Sequence, residues 1–221
     1  MSYVDFFHSG KSSNYDVRLR FSRNKIVNTG TANITYYQGS ASTSNDVKLS
    51  NSIGSIIMND IEAITIIFDS ILKSNEDFTL ATWIKEKSIS LARVVCWSTD
   101  SIQAKPGFYL MDDGASRHPT ITDRNTWNRL LVHQTVPSLN VWNHYAVVRS
   151  SNQVSIFLNG VKSSSSINGS FLDGMSGLSL RGNTDTPNSG IDGYIEDFIF
   201  IRKALWTNNF TPPTTYLPNE P

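Results

Sequence analysis

VWNHYAVVRSSNQVSIFLNGV, residues Val141 to Val161, is the stretch that decides the fold of this chain. Its two halves, WNHYAVVRS and VSIFLNG, are rich in the β-branched and aromatic residues that favour strands. The polar residues Ser151 to Gln153 separate the halves, and Asn159-Gly160 tolerates the positive φ of a tight reversal. The stretch therefore predicts consecutive antiparallel strands. Thirty residues later DGYIEDFIFIRKALW, residues Asp192 to Trp206, predicts one more strand and a turn.

The rest of the chain has the same character. Short apolar or alternating runs punctuated by Gly, Asn, Asp and Ser recur along its length, and helical periodicity is scarce. The pattern predicts an all-β protein. The predicted strands are Tyr15 to Phe21, Ile34 to Tyr37, Ser55 to Met58, Phe78 to Lys85, Arg93 to Trp97, Phe108 to Met111, Leu130 to Val136, His144 to Arg149, Val154 to Leu158, Leu178 to Arg181 and Gly193 to Ile201.

Three segments are less regular. Ile61 to Phe68, IEAITIIF, is compatible with a core strand or a short helix, and its Ile and Thr residues favour the strand. The polar segments Gln38 to Asn51 and Ala115 to Asn128 are predicted to be loops.

Composition limits the classes of partner. The 221 residues are 39% hydrophobic, which is enough for one large core, and we expect a single domain over residues 1–221 with a core of about 15–212. Lys plus Arg equals Asp plus Glu at 19 each, so the net charge is zero. No long run of one sign exists that would indicate binding to nucleic acid or to an anionic membrane surface.

The segments at the two ends and the cysteine content bear on location. No apolar run approaches the roughly 18 residues of a membrane span, and the N-terminus lacks the pattern of a secretory signal. Cys96 is the only cysteine, which excludes an intrachain disulfide and favours synthesis in a reducing cytoplasm. Extended terminal segments are expected, with the Pro-rich tail Thr211 to Pro221 lying against a neighbouring subunit.

An ordered set of motifs resembles one family. They are DFTLATWI from Asp77, WNHYAVVR from Trp142, VSIFLNG from Val154, GYIEDFIF from Gly193 and the trailing turn KALWT from Lys203. Together they resemble the laminin-G-like, concanavalin A-like lectin and glucanase domains. The resemblance implies a jelly-roll sandwich of two antiparallel sheets. In this fold Trp83, Trp142 and Trp206 are expected to pack as large apolar side chains at the ends of the core, which explains them without a ligand.

Concanavalin A-like folds include glycoside hydrolases, so we compare the carboxylates of this chain with the catalytic pattern of those enzymes. Retaining enzymes of that group resemble an E-x-D-x-x-E strand whose alternating acids share one face. Here Asp192, Tyr194 and Glu196 are expected on one face and Asp197 on the other, so a tyrosine replaces one acid. His8, His118, His133 and His144 show no metal-binding spacing. We therefore predict a protein that is not an enzyme and needs no cofactor.

The predicted loops contain candidate residues for two kinds of site, one for calcium and one for a sugar. Oxygen ligands for calcium are available at Asp112-Asp113-Gly114 and at Asp185, Asn188 and Asp192, although acidic residues beside Gly also form ordinary turns. Sugar recognition needs aromatic platforms near planar polar groups, and the segment DDGASRHPTITDRNTW has that composition. Its candidate ligand-binding residues are Asp112, Asp113, Arg117, Arg124 and Trp127.

Two functions follow as hypotheses. Laminin-G-like domains with few cysteines and polar Ser/Thr/Asn-rich surfaces resemble bacteriophage structural proteins. The resemblance implies a virion component made in the host cytoplasm, such as a head decoration, fibre or tail protein. Its expected partners are other virion proteins, copies of itself and host-surface glycans. The alternative is a stand-alone carbohydrate-binding lectin and, after that, a glycoside hydrolase of the same fold.

Overall fold

Strands and tight turns make up almost all of the described structure. This computed structural model describes residues 5–8, 15–22, 25–30, 33–38, 42–50, 52, 54–58, 63–88, 93–98, 108–112, 117–123, 126, 128–180 and 192–215. The strands are β1 Asp5–His8, β2 Val17–Ser22, β3 Lys25–Asn28, β4 Asn33–Gln38, β5 Ser42–Ser44, β6 Ser55–Met58, β7 Ala63–Ile67, β8 Phe78–Glu86, β9 Arg93–Ser98, β10 Phe108–Asp112, β11 Pro119–Asp123, β12 Arg129–Val132, β13 Trp142–Ser150, β14 Gln153–Leu158, β15 Val161–Lys162, β16 Ile167–Asn168, β17 Gly177–Leu180 and β18 Gly193–Ile201. One turn of 3-10 helix, Ser170–Leu172, precedes β17. Within these ranges no helix is long and apolar enough to cross a membrane.

The strands form two sheets. The large sheet has eleven strands with the order β1-β3-β2-β18-β8-β13-β14-β15, and β5, β6 and β16 pair beside this path. The small sheet has seven strands with the order β12-β11-β10-β9-β17-β7-β4. Among the described strand pairs only β1 and β3 run parallel. The hairpin predicted from Val141 to Val161 is β13-β14, and the predicted all-β sandwich is confirmed.

The main core lies between the sheets. Alternate residues of the central strand β8, among them Phe78, Leu80 and Ile84, face inward and are fully buried. Phe200 of β18 stacks on Phe78, with ring centroids 5.4 Å apart, and on Phe68, at 4.5 Å. Both sheets contribute apolar side chains to this one cluster, so its burial is the main stabilising term of the fold.

A second apolar cluster covers the opposite face of the large sheet, which we call the outer face. Ala81, Ala146 and Val148 lie there, because side chains on a strand alternate between the two faces. The segment after β18, residues 202–215, packs over them with Trp206 and Phe210. We call this segment the C-terminal strap. The outer face is therefore buried along much of β8, β13 and β18.

Backbone hydrogen bonds fix the strap. Phe210 N–H donates to the Gly160 carbonyl at 3.0 Å, and Ser50 N–H donates to the Thr214 carbonyl at 3.0 Å. At the other end Leu205 N–H donates to Thr79 Oγ1 at 2.9 Å. As far as residue 215 the Pro-rich tail lies on its own domain, and the expected contact of this tail with a neighbouring subunit stays a prediction. Residues 216–221 are outside the described residues.

A buried guanidinium joins two connecting loops. Arg149 of β13 is fully buried, and its Nη1 lies 2.7 Å from Asp173 Oδ1 and 3.2 Å from the Gly169 carbonyl. Its Nη2 donates to the Lys73 carbonyl at 3.0 Å. A charge taken out of water needs such partners, and removing one of them leaves an expensive unpaired group. Arg149 thus holds the loop before β8 against the loop before β17.

Two predicted loops contain strands. The segment Ala115 to Asn128 includes β11, PTITD, whose Thr and Ile residues pair with both β10 and β12. The segment Gln38 to Asn51 includes β5, STS, which pairs with β6. Both predictions were wrong because a short polar strand between strong partners is stabilised by its neighbours rather than by its own propensity. The preferred strand in Ile61 to Phe68 is confirmed as β7.

Replacement of Gly160 by alanine tests the strap contact. Gly160 has a φ of +79°, and a Cβ at this position would lie 1.9 Å from the Phe210 carbonyl oxygen. We expect Gly160→Ala to lower the free energy of unfolding by about 2 kcal/mol or more, from backbone strain plus displacement of the strap. Urea denaturation followed by tryptophan fluorescence measures this change. Gly174→Ala, with a φ of +85° in the turn bonded to Leu72, is the matched control for strain alone. An equal loss in both variants would contradict a role for the strap contact.

Candidate functional site

One row of side chains on the outer face stays half-exposed. The strand register places Trp142 of β13, Lys85 of β8 and Tyr194 of β18 side by side, because Lys85 is paired with both of the others. All three are half-buried. One row further along the same strands His144 and Trp83 are buried instead. The row that ends the sheet is therefore aromatic, cationic and accessible.

Polar contacts organise this row. Asp46, from the loop after β5, accepts a hydrogen bond from Trp142 Nε1 at 3.3 Å. It also forms an ion pair with Lys85, whose Nζ lies 2.7 Å from Asp46 Oδ2. The ring centroids of Trp142 and Tyr194 are 6.3 Å apart at an interplanar angle of 44°. Lys87 Nζ lies 4.4 Å from the Tyr194 ring centroid, which is cation–π distance. We call Trp142, Tyr194, Lys85, Lys87 and Asp46 the Trp142–Tyr194 surface.

A buried carboxylate fixes the loop that carries Asp46. Glu196 of β18 is fully buried and accepts the backbone N–H groups of Lys48, at 2.6 Å, and Leu49, at 3.3 Å. Burial raises the pKa of the Glu196 carboxyl above its ordinary value, and these hydrogen bonds oppose part of that rise. Ser55 Oγ also donates to the Asp46 carbonyl at 2.7 Å. The position of Asp46 is thus set by the strands beneath it.

A bulge in β18 decides which side chains reach the surface. The register with β8 shifts between Glu196 and Ile199, and Asp197 sits in the bulge with a φ of +47°. The extra residue changes the alternation, so Tyr194 and Glu196 face outward while Phe198 and Phe200 enter the main core. Before the bulge the even-numbered residues of β18 face the Trp142–Tyr194 surface, and after it the even-numbered residues face the main core.

The bulge also corrects the expected position of Asp197. Its carboxylate lies 3.5 Å from Arg18 Nε, and Arg18 stacks over Tyr15 of the outer cluster at 4.9 Å. Asp197 therefore points to the same face as Glu196 rather than to the opposite one. Burial raises the pKa of Asp197 to about 6, because the desolvation of the carboxylate outweighs the attraction of Arg18.

The sequence of a known family matches this chain. A family described as the concanavalin A-like lectin/glucanases superfamily, of the laminin-G type, matches residues 62–208, which include β8, β13, β14 and β18. The chain belongs to this superfamily. The resemblance of the DFTLATWI, WNHYAVVR and GYIEDFIF motifs is thereby confirmed. At the level of whole sequences no curated protein matches the chain.

Solved structures share this superfamily fold. Domain 4 of AbnA, a GH43 extracellular arabinanase from Geobacillus stearothermophilus solved with arabinotriose, has a TM-score of 0.68 at 15% identity, over 87% of this chain and 94% of that one. The botulinum neurotoxin serotype D binding domain has a TM-score of 0.59 at 15% identity, over 89% of this chain and 49% of that one. The botulinum neurotoxin DC binding domain in complex with SialylT has a TM-score of 0.59 at 14% identity, over 88% and 49%. This chain thus spans about half the length of the toxin domains, and identities this low show the fold alone.

The carboxylates expected of a glycoside hydrolase in this superfamily are engaged in structural contacts. Asp192 accepts a hydrogen bond from Ser88 Oγ at 2.7 Å, and both oxygens of buried Glu196 accept backbone N–H groups. Tyr194 lies between them in sequence. Glu196 is therefore held in a structural contact, and Asp192 lies just before β18.

Most of the ligand residues predicted from the sequence are outside the described residues. This applies to Asp113, Arg124 and Trp127, whereas Asp112 ends β10 with its backbone paired to Pro119. Arg117 is half-buried, and its Nη2 donates to the Pro137 carbonyl at 2.8 Å. Arg117 therefore joins two connecting segments, and the ligand-binding role of the five residues stays a prediction.

The expected calcium ligands stand in a similar position. Asp185 and Asn188 are outside the described residues, and the carboxylate of Asp192 accepts the hydroxyl of Ser88. Within the described ranges no group of three or more His, Cys, Asp or Glu residues is placed to hold a metal ion. Calcium binding at these residues stays a prediction.

Sequence reasoning missed the Trp142–Tyr194 surface. Trp142 was interpreted as a body at the end of the core, and Tyr194 only as the residue replacing an acid. The sequence did contain a usable signal. Trp83 and Lys85 alternate on one face of β8, and Lys87 continues the alternation one residue beyond its end, so an aromatic residue and two cations lie on one side. The pairing of β8 with both β13 and β18 was needed to bring the rings to those lysines, and that register is not written in any one strand.

His144 gives a test of the buried row beside the surface. It is enclosed by the rings of Trp83, Trp206 and Phe210, at centroid distances of 5.0, 5.7 and 5.7 Å, and burial lowers its pKa to about 3. Below the ordinary pKa of 6.5 the unfolded chain takes up a proton that folded His144 refuses, so stability falls as pH falls. From pH 7 to pH 5 we expect the wild type to lose roughly 2 kcal/mol more of its free energy of unfolding than His144→Gln, in which the other titrating groups are the same. Urea denaturation of both proteins at each pH measures it, and parallel pH profiles would contradict it.

Proposed function

We propose that this protein is a non-enzymatic binding module that recognises glycans through the Trp142–Tyr194 surface, and that it works as a structural component of a virion. The observation that carries the glycan proposal is the half-exposed row of Trp142, Lys85 and Tyr194, with Asp46 hydrogen-bonded into it. In this row two aromatic rings stand beside charged groups at the open end of a rigid sheet.

The chemistry of the surface suits a sugar. The C–H faces of a pyranose or furanose pack on aromatic rings, while its hydroxyl groups need donors and acceptors at the ring edge. Tyr194 and Trp142 supply the rings, and Lys85, Lys87 and Asp46 supply the polar partners. Two structures of the same fold are complexes with arabinotriose and with SialylT, which makes glycans the first ligand class to test.

Rigidity supports binding rather than catalysis. Asp46 is positioned by backbone contacts to buried Glu196 and by Ser55, so the polar groups are set before a ligand arrives and little ordering entropy remains to be lost. The same contacts occupy the carboxylate that a hydrolase would need free for acid or base chemistry. A glycoside hydrolase is therefore the less supported alternative.

The virion proposal rests on the resemblance of the sequence motifs and on multivalency. Weak glycan contacts repeated on many copies of a particle give high avidity, because each further contact forms at a high effective concentration. A head decoration, fibre or tail protein would have other virion proteins and copies of itself as partners. It would be made in the host cytoplasm and located in the virion. A zero net charge is compatible with dense packing of copies, since no long-range repulsion has to be overcome.

Removal of either ring tests the glycan proposal. We expect Trp142→Ala and Tyr194→Ala each to abolish or weaken by tenfold or more the binding to a glycan array, since the platform contributes most of the apolar contact. Ile71→Ala, at an exposed apolar residue in the loop between β7 and β8, is the matched control and should bind like the wild type. Mass spectrometry of the incubated oligosaccharides should show them intact. Unchanged binding in both ring variants, or cleaved products, would contradict the proposal.

Assembly state tests the virion proposal separately. We expect native mass spectrometry of the purified chain to show a defined homo-oligomer, or the chain to join particles when it is expressed with neighbouring structural proteins. A strict monomer that still binds glycans would instead favour a stand-alone lectin. The glycan array on that monomer is the control, because it reports the binding surface independently of assembly.

A further inference from the structure

The lysines of the Trp142–Tyr194 surface differ in how their charges are balanced. Lys85 is paired with Asp46 at 2.7 Å. Lys87 Nζ lies over the Tyr194 ring, and no carboxylate among the described residues pairs with it. Lys48 is exposed, and its Nζ lies 5.2 Å from the ring centroid of Trp83, in the neighbouring row. The ammonium groups of Lys87 and Lys48 thus lie over aromatic rings, and neither makes an ion pair with an acid in the described part of the chain.

The nearby carboxylates are already engaged. Asp46 accepts from both Trp142 and Lys85, and Asp192 accepts from Ser88. Glu196 is buried under the Asp46 loop with its oxygens on backbone N–H groups. Among the described residues none of these carboxylates makes an ion pair with Lys87, so this part of the surface presents a positive group beside its ring platform.

Such an arrangement selects for charge in a ligand. A cation held over an aromatic ring keeps part of its attraction for an anion, and an ammonium–carboxylate hydrogen bond is stronger than a neutral one. A neutral sugar would gain only the ring packing and hydrogen bonds from its hydroxyl groups to Asp46, Lys85 and Lys87. A sugar with an acidic group would gain a charge-assisted bond in addition.

We infer that the ligand of the Trp142–Tyr194 surface is an acidic saccharide, whose carboxylate or sulfate pairs with Lys87 while its sugar ring packs against Tyr194 and Trp142. This inference rests on the proposed glycan-binding function. Lys48, in the loop after β5, adds a second positive charge beside the neighbouring row at Trp83. Asp46 then accepts from ring hydroxyl groups on the side away from the anion.

An array and a matched titration test this inference. The array carries uronate-containing, sialylated, sulfated and neutral oligosaccharides. The tightest acidic glycan is then titrated by calorimetry beside the same glycan with its acidic groups methyl-esterified or removed, at about 50 mM and about 300 mM salt. We expect the acidic form to bind about tenfold or more tightly than its neutralised form, and only the acidic form to weaken with salt.

Lysine variants assign the charge effect to a residue. Lys87→Gln should weaken binding of the acidic glycan about tenfold and binding of the neutralised form no more than about twofold, because glutamine keeps a hydrogen-bond donor but carries no charge. Lys203→Gln removes an exposed lysine at the far end of the outer face, beside Thr79, and is the matched control. Both variants should unfold at the wild-type urea concentration, since neither side chain is buried in the core.

The possible outcomes separate the two levels of proposal. Neutral glycans bound as tightly as acidic ones, or equal losses in Lys87→Gln and Lys203→Gln, would overturn the acidic specificity and leave glycan binding in place. Polyglutamate that displaces the glycan at equal charge concentration would show recognition of charge alone and overturn the saccharide inference. No binding to any glycan class would overturn both proposals.

Discussion

Burial on both faces of the large sheet is the constraint on which the rest of this structure depends. The strands β8, β13 and β18 carry apolar side chains on both sides, as Leu80 and Ala81 illustrate at adjacent positions. One face is covered by the small sheet. The other needs a separate cover, and the C-terminal strap supplies it with Trp206 and Phe210 stacked at 4.1 Å. Without the strap an apolar surface in the middle of the sheet would face water.

The described part of the strap contacts the buried aromatic row of the outer face. The strap is anchored at Thr79 and Gly160 and ends beside Ser50, so it passes over the buried row containing His144. The next row, with Trp142 and Tyr194, lies at the end of the strands and stays half-exposed. Binding surfaces on rigid strands of this kind need little rearrangement on ligand capture.

The buried and half-buried charged groups serve mainly to position loops. Glu196 holds the loop of Asp46, Arg149 holds the loops before β8 and β17, and Arg202 joins Asp16 to Glu76 at 2.9 and 2.7 Å. Each charge is satisfied by backbone groups or by an opposite charge, as burial requires. In this member of the superfamily Glu196 thus acts as a structural clamp for the loop of Asp46.

The sequence alone determined the fold class, because strand propensity, alternation and Asn159-Gly160 act within a few residues and specify β13, β14 and β18 before any packing is known. It did not predict β11, a short polar strand stabilised by the partners on either side of it. The bulge at Asp197 and the row of Trp142, Lys85 and Tyr194 were decided only by tertiary structure, since they depend on the register of three strands far apart in the chain. Register is set by the burial of whole faces, and a shift of one residue would move every one of these side chains to the other side of the sheet.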